Sequence, residues 1–468
     1  MTKTGNRLLE SKGEFRPMLA LALPVFAEES LTLLVGYTDW WLTGSFLPGD
    51  EYKAAMGLMA YLLWLIPILF AAVAIGATAM VSRFVGAGEQ RLACRVVNQA
   101  MLVGVVLSLV MTVATLLGAR SFVSLLQLSG AAGELATRYC LIVAWVIPAI
   151  MVEQVASAAL RGAGDTVSGM VAKSIVNVIN VTVSTTLVLG LGPFPKMGWD
   201  GIAIGTACGH LVGGLILLTL LLRGRAGLHL KWSNLRSDWS IIRRLLKVGL
   251  PGGVDMLAVI GCHLTYVSII NRLGETAAAA HGMGVQVEAL AYLPGTAFQV
   301  AAATIAGQYL GAQDGARAKR GVSMAVLAGG SFMSLTGLVF YFLGGYLCAF
   351  FSGMHLDETA EIAAGLLRIV AFSMPSLAVT MVLSGALRGA GDTRWALLIT
   401  LVGFAGIRIP GALWLACDEI TIPWLQLTIT GMGWSVYGAW YAMLVDVIVR
   451  SFLAAARFFH GGWQHARV

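Results

Sequence analysis

ALRGAGDT stands at Ala159–Thr166, and the same eight residues return at Ala386–Thr393, 227 positions later. Three prolines keep that offset: Pro24 with Pro251, Pro67 with Pro294, and Pro148 with Pro375. VGAGEQRLA at 85–93 is answered by LGAQDGARA at 310–318, and MGW at 197–199 by MGW at 432–434. An eight-residue identity with three coincident prolines marks an internal duplication, and the fold must be one that a repeated unit can build.

The material between the repeats is apolar. Of the 468 residues 58% are hydrophobic and 12% charged, the latter about half the share of a soluble domain. Mean hydropathy is +0.81. Runs long enough to cross a hydrocarbon layer of roughly 30 Å as helices fall near 17–44, 54–82, 96–118, 136–160, 168–192 and 200–222, then 246–272, 276–308, 321–351, 360–387, 395–416 and 431–458. The pattern predicts an all-α integral membrane protein of twelve helices. Segments of about ten alternating residues, the mark of a β-barrel, are absent from the sequence. Six spans per half give both halves the same orientation, hence parallel repeats suited to alternating access at a site between them. The expected division is an N-lobe over 1–222, a linker over 223–245 and a C-lobe over 246–468. The first run is too long for a signal peptide and carries Asp39, so it is expected to remain as a span.

With the N-terminus inside, 24 of the 31 basic residues fall on the cytoplasmic side, which places both termini in the cytoplasm of a multi-pass protein of the cell (inner) membrane. The net charge of +7 therefore describes a topology and does not point to nucleic acid. The largest basic group lies in the linker, RGRAGLHLKWSNLRSDWSIIRRL at 223–245, expected to be partly amphipathic and able to rest on anionic headgroups. The six cysteines are scattered and read as small packing residues. The repeated motif reads as a turn, with glycine for tight backbone and Arg/Asp for local hydrogen bonds. It lacks the lysine of a phosphate loop. The span prolines are expected to kink their helices where neighbours satisfy the freed carbonyls.

A charge at bilayer depth is costly and marks a functional candidate. Glu28, Glu29, Asp39, Glu153, Asp255, Glu288 and Asp446 fall within spans. Glu28 and Asp39 are 11 apart, about 20° from one another on a helical wheel, and share a stripe. Carboxylates there can bind a cation or take up a proton, or they can be permanently paired. In the fifth span Asn177, Asn180 and Ser184 share a sector of roughly 60°, with Lys173 one turn earlier. Such groups can complete an oxygen shell around Na⁺ or simply join helices. In the second half Asp255 follows Pro251 by one turn with Tyr266 on the same stripe and His263 nearby, and His281 shares a face with Glu288. Arg408 can neutralise one of these acids, and Asp446 with Arg450 reads as a self-contained i, i+4 pair.

Taken together, LALP and GYTDWWLTG in the first span, ATAMVSRFVGAGEQRLA, ALRGAGDT, IVNVINV, VEALAYLPGTAFQVAAATIAGQYLGAQDGARA, RIP at Arg408–Pro410 and RFFHGGW at Arg457–Trp463 resemble the multidrug and toxic compound extrusion (MATE) family over nearly the whole chain. The resemblance implies a cation-coupled antiporter, driven by H⁺ or Na⁺, that expels organic and often cationic amphiphilic compounds through a V-shaped pair of bundles. It implies a coupling site at Asp39 and Asn180, which would also be the seat of any Na⁺. Two positions depart from the family pattern. Ser184 stands where some members have an Asp, and Val259 where another branch has a seventh-span acid. Glu28 or Glu29 can restore the first charge, and Asp255 or Glu288 the second. The missing fifth-span acid tilts the expectation toward H⁺. Substrate is expected against Tyr37, Tyr266 and Met256 between the lobes. No cofactor and no nucleic-acid partner are expected, and one chain suffices, so a monomer in the lipid bilayer is expected. A flippase for a lipid-linked precursor is the alternative on the same fold, with Lys173 and Arg408 as the basic residues within spans. His210, His263 and His281 form no HExxH or Ser/His/Asp pattern, which argues against an enzyme.

Overall fold

The computed structural model describes residues 10–11, 13–126, 128–231, 236–351, 357–422, 427–466 and 468. The basic residues Lys3, Arg7, Lys12 and Arg467, and positions 232–235 of the linker with Trp232, lie outside the described residues. The first half comprises Phe15–Phe46 (α1), Asp50–Leu69 (α2), Ala71–Gly86 (α3), Gln90–Leu125 (α4), Gly130–Ala144 (α5), Ile147–Gly162 (α6), Val167–Leu189 (α7) and Trp199–Leu222 (α8). The second comprises Trp239–Asn271 (α9), Glu275–Gly311 (α10), Gly315–Phe351 (α11), Glu358–Ala390 (α12), Thr393–Gly403 (α13), Ile409–Ala416 (α14) and Ser435–His460 (α15). Among the described residues ten helical stretches are long and apolar enough to cross a membrane, or eleven with α5–α6 counted as one bent span. Helix α15, interrupted by Asp446 and Arg450 in its middle, completes the twelve. A short antiparallel hairpin, Glu419–Ile422 with Leu427–Thr430, sits between the last two spans and has no counterpart in the sequence reading.

The prolines act differently in the two halves. The second span is not continuous over 54–82. It breaks at Phe70, three residues after Pro67. The fourth span bends by 58° between α5 and α6, just before Pro148. The equivalent Pro294 and Pro375 lie inside unbroken α10 and α12. Proline removes the amide that would bond the carbonyl four residues back. At Pro148 that carbonyl is Ala144, and it accepts from the Thr112 hydroxyl of α4 at 3.3 Å. In the other lobe the matching position is Gly337, whose missing side chain leaves room for the Ala371 carbonyl.

The lobes meet at the end that carries the repeated motifs. There α1 packs on α10 and, by the same symmetry, α9 packs on α3, while α3 packs on α10. Glycines permit these approaches. A Cβ on Gly86 would overlap the Gln308 carbonyl, and one on Gly311 would overlap the Arg83 carbonyl. Gly86 and Gly311, like Arg83 and Gln308, are equivalent at the 225 offset. The contact is thus self-complementary about a pseudo-twofold axis, as an isologous interface must be. Thr304 Oγ1 donates to the Arg161 carbonyl at 3.0 Å and Gln308 Nε2 to that of Gly162 at 2.9 Å, tying the two lobes. Met18, Leu21, Ala22 and Val25 of α1 lie in a core shared with α10, α11 and α12, whereas Ile241 and Leu245 of α9 join the core of the first half. Each lobe thus lends the start of its first helix to the other.

Substituting Gly86 or Gly311 by Val is expected to hold this end open. In a background lacking the six native cysteines, a cysteine at Ser82, fully buried here, will then react with an impermeant maleimide. Labelling no faster than in the glycine parent would contradict the packing.

Candidate functional site

Asp39 lies deep in α1 and is 1% exposed. Among the described residues its carboxylate is met only by neutral groups. Thr206 Oγ1 of α8 donates to Oδ2 at 2.9 Å, and Asn180 Nδ2 of α7 donates to Oδ1 at 3.3 Å. The Tyr139 hydroxyl of α5 reaches Thr206 Oγ1 at 3.3 Å, so a hydroxyl chain runs from Tyr139 through Thr206 to the acid. Helix α8 comes this close because Gly201, Gly205 and Gly209, four apart, face α7: added Cβ atoms would stand 2.8 Å from Leu187 Cβ, 2.7 Å from the Ser184 amide and 3.0 Å from the Val176 carbonyl. Asn180 Oδ1 and Ser184 Oγ, one turn apart on α7, are buried without a hydrogen-bond partner among the described residues. The set offers oxygen ligands around one carboxylate.

The other buried acids of the first lobe are compensated. Glu28 accepts from Ser157 Oγ at 3.1 Å and pairs with Arg161 Nη1 at 3.5 Å. Glu153 pairs with Lys173 Nζ at 3.2 Å and meets His210 Nδ1 at 3.1 Å. Arg161 belongs to the repeated ALRGAGDT motif, and its equivalent Arg388 pairs with Asp255, the equivalent of Glu28, at 2.5 Å. Both copies of the motif aspartate are likewise paired, Asp165 with Arg225 at 2.5 Å and Asp392 with Arg457 at 2.8 Å. The motif does form a turn, with Gly164 and Gly391 both at φ +89. Asp165 bonds locally as expected, accepting from the Ser168 amide at 3.1 Å and the Ser168 hydroxyl at 2.8 Å, whereas Arg161 and Arg388 make long-range bonds to other helices. Turn geometry is set by the glycines, which frees the arginine to point into the bundle.

In the second lobe a turn of π-helix at Phe404–Arg408 redirects Arg408. Its Nη2 lies 2.7 Å from Asp446 Oδ2, and Arg450 Nε lies 2.7 Å from Oδ1. Asp446 is thus shared by two arginines and is not the closed pair with Arg450 that i, i+4 spacing suggested. The extra positive charge faces Glu288, a buried acid with no hydrogen bond or ion pair among the described residues, on which Arg408 acts electrostatically. Asp255, Arg388, Asp446, Arg408, Arg450 and Glu288 therefore sum to zero. Among the described residues Asp39 is a fully buried acid with neither an ion pair nor a cation beside it, while half-buried Glu29 lies near Arg161 and Lys173, which already pair with Glu28 and Glu153.

Some sequence expectations separate here. Glu28 and Asp39 share a stripe, but 11 residues put them about 16 Å apart along the axis, and Glu28 turns to Arg161, so they do not hold one ion together. Glu29 is half-buried, near Glu28, Arg161 and Lys173, on the same distant turn. Asn177 Nδ2 bonds the carbonyls of Leu31 and Lys173 at 2.9 and 3.0 Å and joins helices, leaving Asn180 as the amide at Asp39. Tyr37 is 46% exposed and its hydroxyl accepts from Gln286 Nε2 of α10 at 3.2 Å, a bond that crosses between the lobes. Met256 is half-buried. Tyr266 is 1% exposed inside the second lobe's core beside His281 and Arg408, so in this conformation it does not line a cleft. Thr206 and Tyr139 were missed, since an isolated hydroxyl on an apolar helix resembles any packing residue.

Comparison with known proteins agrees with the duplication. The MatE family model matches twice, over residues 24–186 and 251–414. The "Probable multidrug resistance protein NorM" of Thermotoga maritima is 26% identical over 455 residues, 97% of this chain and 94% of that one. Its namesake from Bradyrhizobium diazoefficiens is 28% identical over 463 residues, 95% and 93% of the two chains. The structure superposes at a TM-score of 0.87 and 18% identity on an outward-facing multidrug resistance MATE family transporter, covering 98% and 99% of the two chains. A MOP superfamily transporter from Pyrococcus furiosus, described as having a binding pocket of reverse polarity, gives 0.87 over both full lengths at 18% identity.

Removing one partner of a buried pair strands the other charge, at a cost of about 3–5 kcal/mol. Arg161→Ala and Arg388→Ala are therefore expected to destabilise the folded protein by that amount in denaturant titrations in detergent. The doubles Glu28→Gln/Arg161→Gln and Asp255→Asn/Arg388→Gln should recover most of it. Singles within 1 kcal/mol of the parent would show that the pairs carry no such weight.

Proposed function

Because the chain belongs to the MatE family, the multidrug and toxic compound extrusion transporters, we propose that it is an H⁺-coupled antiporter of organic cations whose exchangeable charge sits on Asp39. The observation that carries this reading is the uncompensated carboxylate of Asp39 amid Asn180, Thr206 and Tyr139. One monovalent cation neutralises it. Asn180 and Thr206 turn donors toward the carboxylate, an arrangement made for an anion that exchanges a single proton. A Na⁺ would require the Asn180 amide to turn its carbonyl inward.

Ionised Asp39 keeps its two donors and holds α1 against α7 and α8. Once protonated, the acid no longer draws those donors as strongly, and α1 is free to shift relative to both. Because α1 lends its first turns to the core of the other lobe, a change at Asp39 bears directly on how the lobes meet. A ligand moves that equilibrium only through its different affinities for the two arrangements. Proton binding and substrate binding become alternatives, so proton uptake from outside accompanies substrate release there, which is antiport. The motif end, closed here, is taken as cytoplasmic from the Lys/Arg bias, in an inner membrane with both termini inside. Substrate enters between the lobes near Tyr37. A lipid-linked precursor would need free basic groups in the cavity, and Lys173 and Arg408 are instead committed to Glu153 and Asp446.

In proteoliposomes, a pH gradient is expected to drive movement of a fluorescent organic cation, while a Na⁺ gradient at equal pH does not. Asp39→Asn should abolish the driven component with binding retained. Driven transport at parental rate in that variant rules the mechanism out. Thr206→Ala removes one hydrogen bond to a charged group, about 1.5–3 kcal/mol, and should move the pH profile of transport upward by roughly one to two units. A profile unchanged in that variant would detach Thr206 from the coupling site.

A further inference from the structure

Two cavities meet at the start of α9, outside the site described above. One, of about 650 Å³, is an apolar groove between α2, α4 and α9, lined among others by Leu69, Val106, Val110, Leu246 and Leu257. It runs from Trp239 about five helical turns toward the opposite end, and it opens sideways, with Val106, Val110 and Leu250 each more than half exposed. The other, of about 370 Å³, is polar and lined by Arg95, Gln99, Arg236 and Asp238. Ser237 and Trp239 line both. A basic polar chamber thus opens directly into a long apolar one.

The chamber is held in place from below. Gln99, 2% exposed, donates through Nε2 to the Arg236 carbonyl at 3.0 Å and accepts at Oε1 from the Asp238 amide at 3.0 Å. Its neighbour Asn98 holds the linker the same way, donating to the His229 carbonyl at 2.9 Å and accepting from the Lys231 amide at 3.0 Å. Asp238 caps α9 by accepting from the amide and hydroxyl of Ser240 at 3.1 and 2.6 Å, and it also lines the chamber, where Arg95 acts on it electrostatically. The Arg95 and Arg236 guanidinium groups have no hydrogen bond or ion pair among the described residues. Two guanidiniums without an ion pair, against the single carboxylate of Asp238, leave the chamber net positive on an anchored backbone and match an anionic group, and the groove beside it matches hydrocarbon.

We propose that this is a site for one anionic diacyl phospholipid, its phosphate between Arg95 and Arg236 and an acyl chain in the groove between α4 and α9. Charge complementarity with the chamber selects the headgroup, and contact with Trp239 sets its depth at the interface. The groove joins α9, the first helix of the second half, to α2 and α4 of the first. The lipid therefore bridges the lobes and favours the arrangement in which the groove exists.

Native mass spectrometry of the full-length protein with phosphatidylglycerol or phosphatidylcholine tests this. The parent should retain one phosphatidylglycerol in strong preference. Arg95→Gln/Arg236→Gln should lower that preference by about 30-fold, roughly 1 kcal/mol for each basic group. Val106→Trp, which fills the exposed groove, should lower retention of both lipids while thermal stability stays at the parental value. An undiminished preference in the arginine variant overturns the proposal, as does unchanged retention with the groove filled. Displacement of the lipid by millimolar inorganic phosphate would also overturn it, by showing that the site recognises a free anion.

Discussion

Charge compensation inside a low-dielectric bundle constrains the rest of this structure. A buried ion pair costs desolvation that only good geometry and further hydrogen bonds repay, and a lone buried charge costs more still. The chain meets that constraint repeatedly with one device, the arginine of ALRGAGDT, which reaches back to the acid on the first helix of its own lobe as Arg161–Glu28 and Arg388–Asp255. These pairs fix the first and fourth spans of each lobe in register at the end where the lobes touch. With that end fixed, the glycines that let α3 meet α10 and α9 meet α3 define a single closed contact. Against that pattern of pairing, Asp39 stands apart as an acid met by neutral donors.

The difference between the lobes lies in what replaced each half of the duplication. Glu28 and Asp255 keep the acid and its arginine in both lobes. At Asp39 the second lobe has Tyr266, and where the first lobe has Asn180 the second has Ile407, followed by Arg408 on its π-turn. One lobe thus holds an anion surrounded by neutral donors, and the other a balanced set of three acids and three arginines. The helix breaks follow the same division. The lobe with Asp39 has its second and fourth spans broken at Phe70 and before Pro148, while the other lobe keeps both spans continuous over equivalent prolines. A broken span can hinge where an unbroken one can only bend, so the lobe proposed to change charge is also the one with more places to yield.

Much of this was legible in the sequence. The motif repeat and prolines gave the parallel duplication, and the apolar run lengths gave the spans, because both follow from chain-local rules. Asp39 and Asn180 stood out because a carboxylate and an amide are rare at bilayer depth. What escaped depended on three-dimensional neighbours. Nothing local distinguishes Arg161 in a turn from an arginine that reaches another helix. Thr206 and Tyr139 are ordinary on apolar helices until Gly205 brings α8 onto α7. The pairing of Glu28 away from Asp39 was hidden because helical-wheel angle ignores the rise along the axis. The offset did show that Asp39 and Asn180 have no counterparts, and the structure gives that asymmetry its meaning as an imbalance of charge.

Proton release on substrate binding tests the central claim most directly. With the detergent-solubilised protein in weak buffer near neutral pH, a saturating organic cation is expected to release protons from the parent and none from Asp39→Asn, with both binding the cation. Equal release from the two proteins would contradict the account, because it would place the exchangeable charge somewhere other than Asp39.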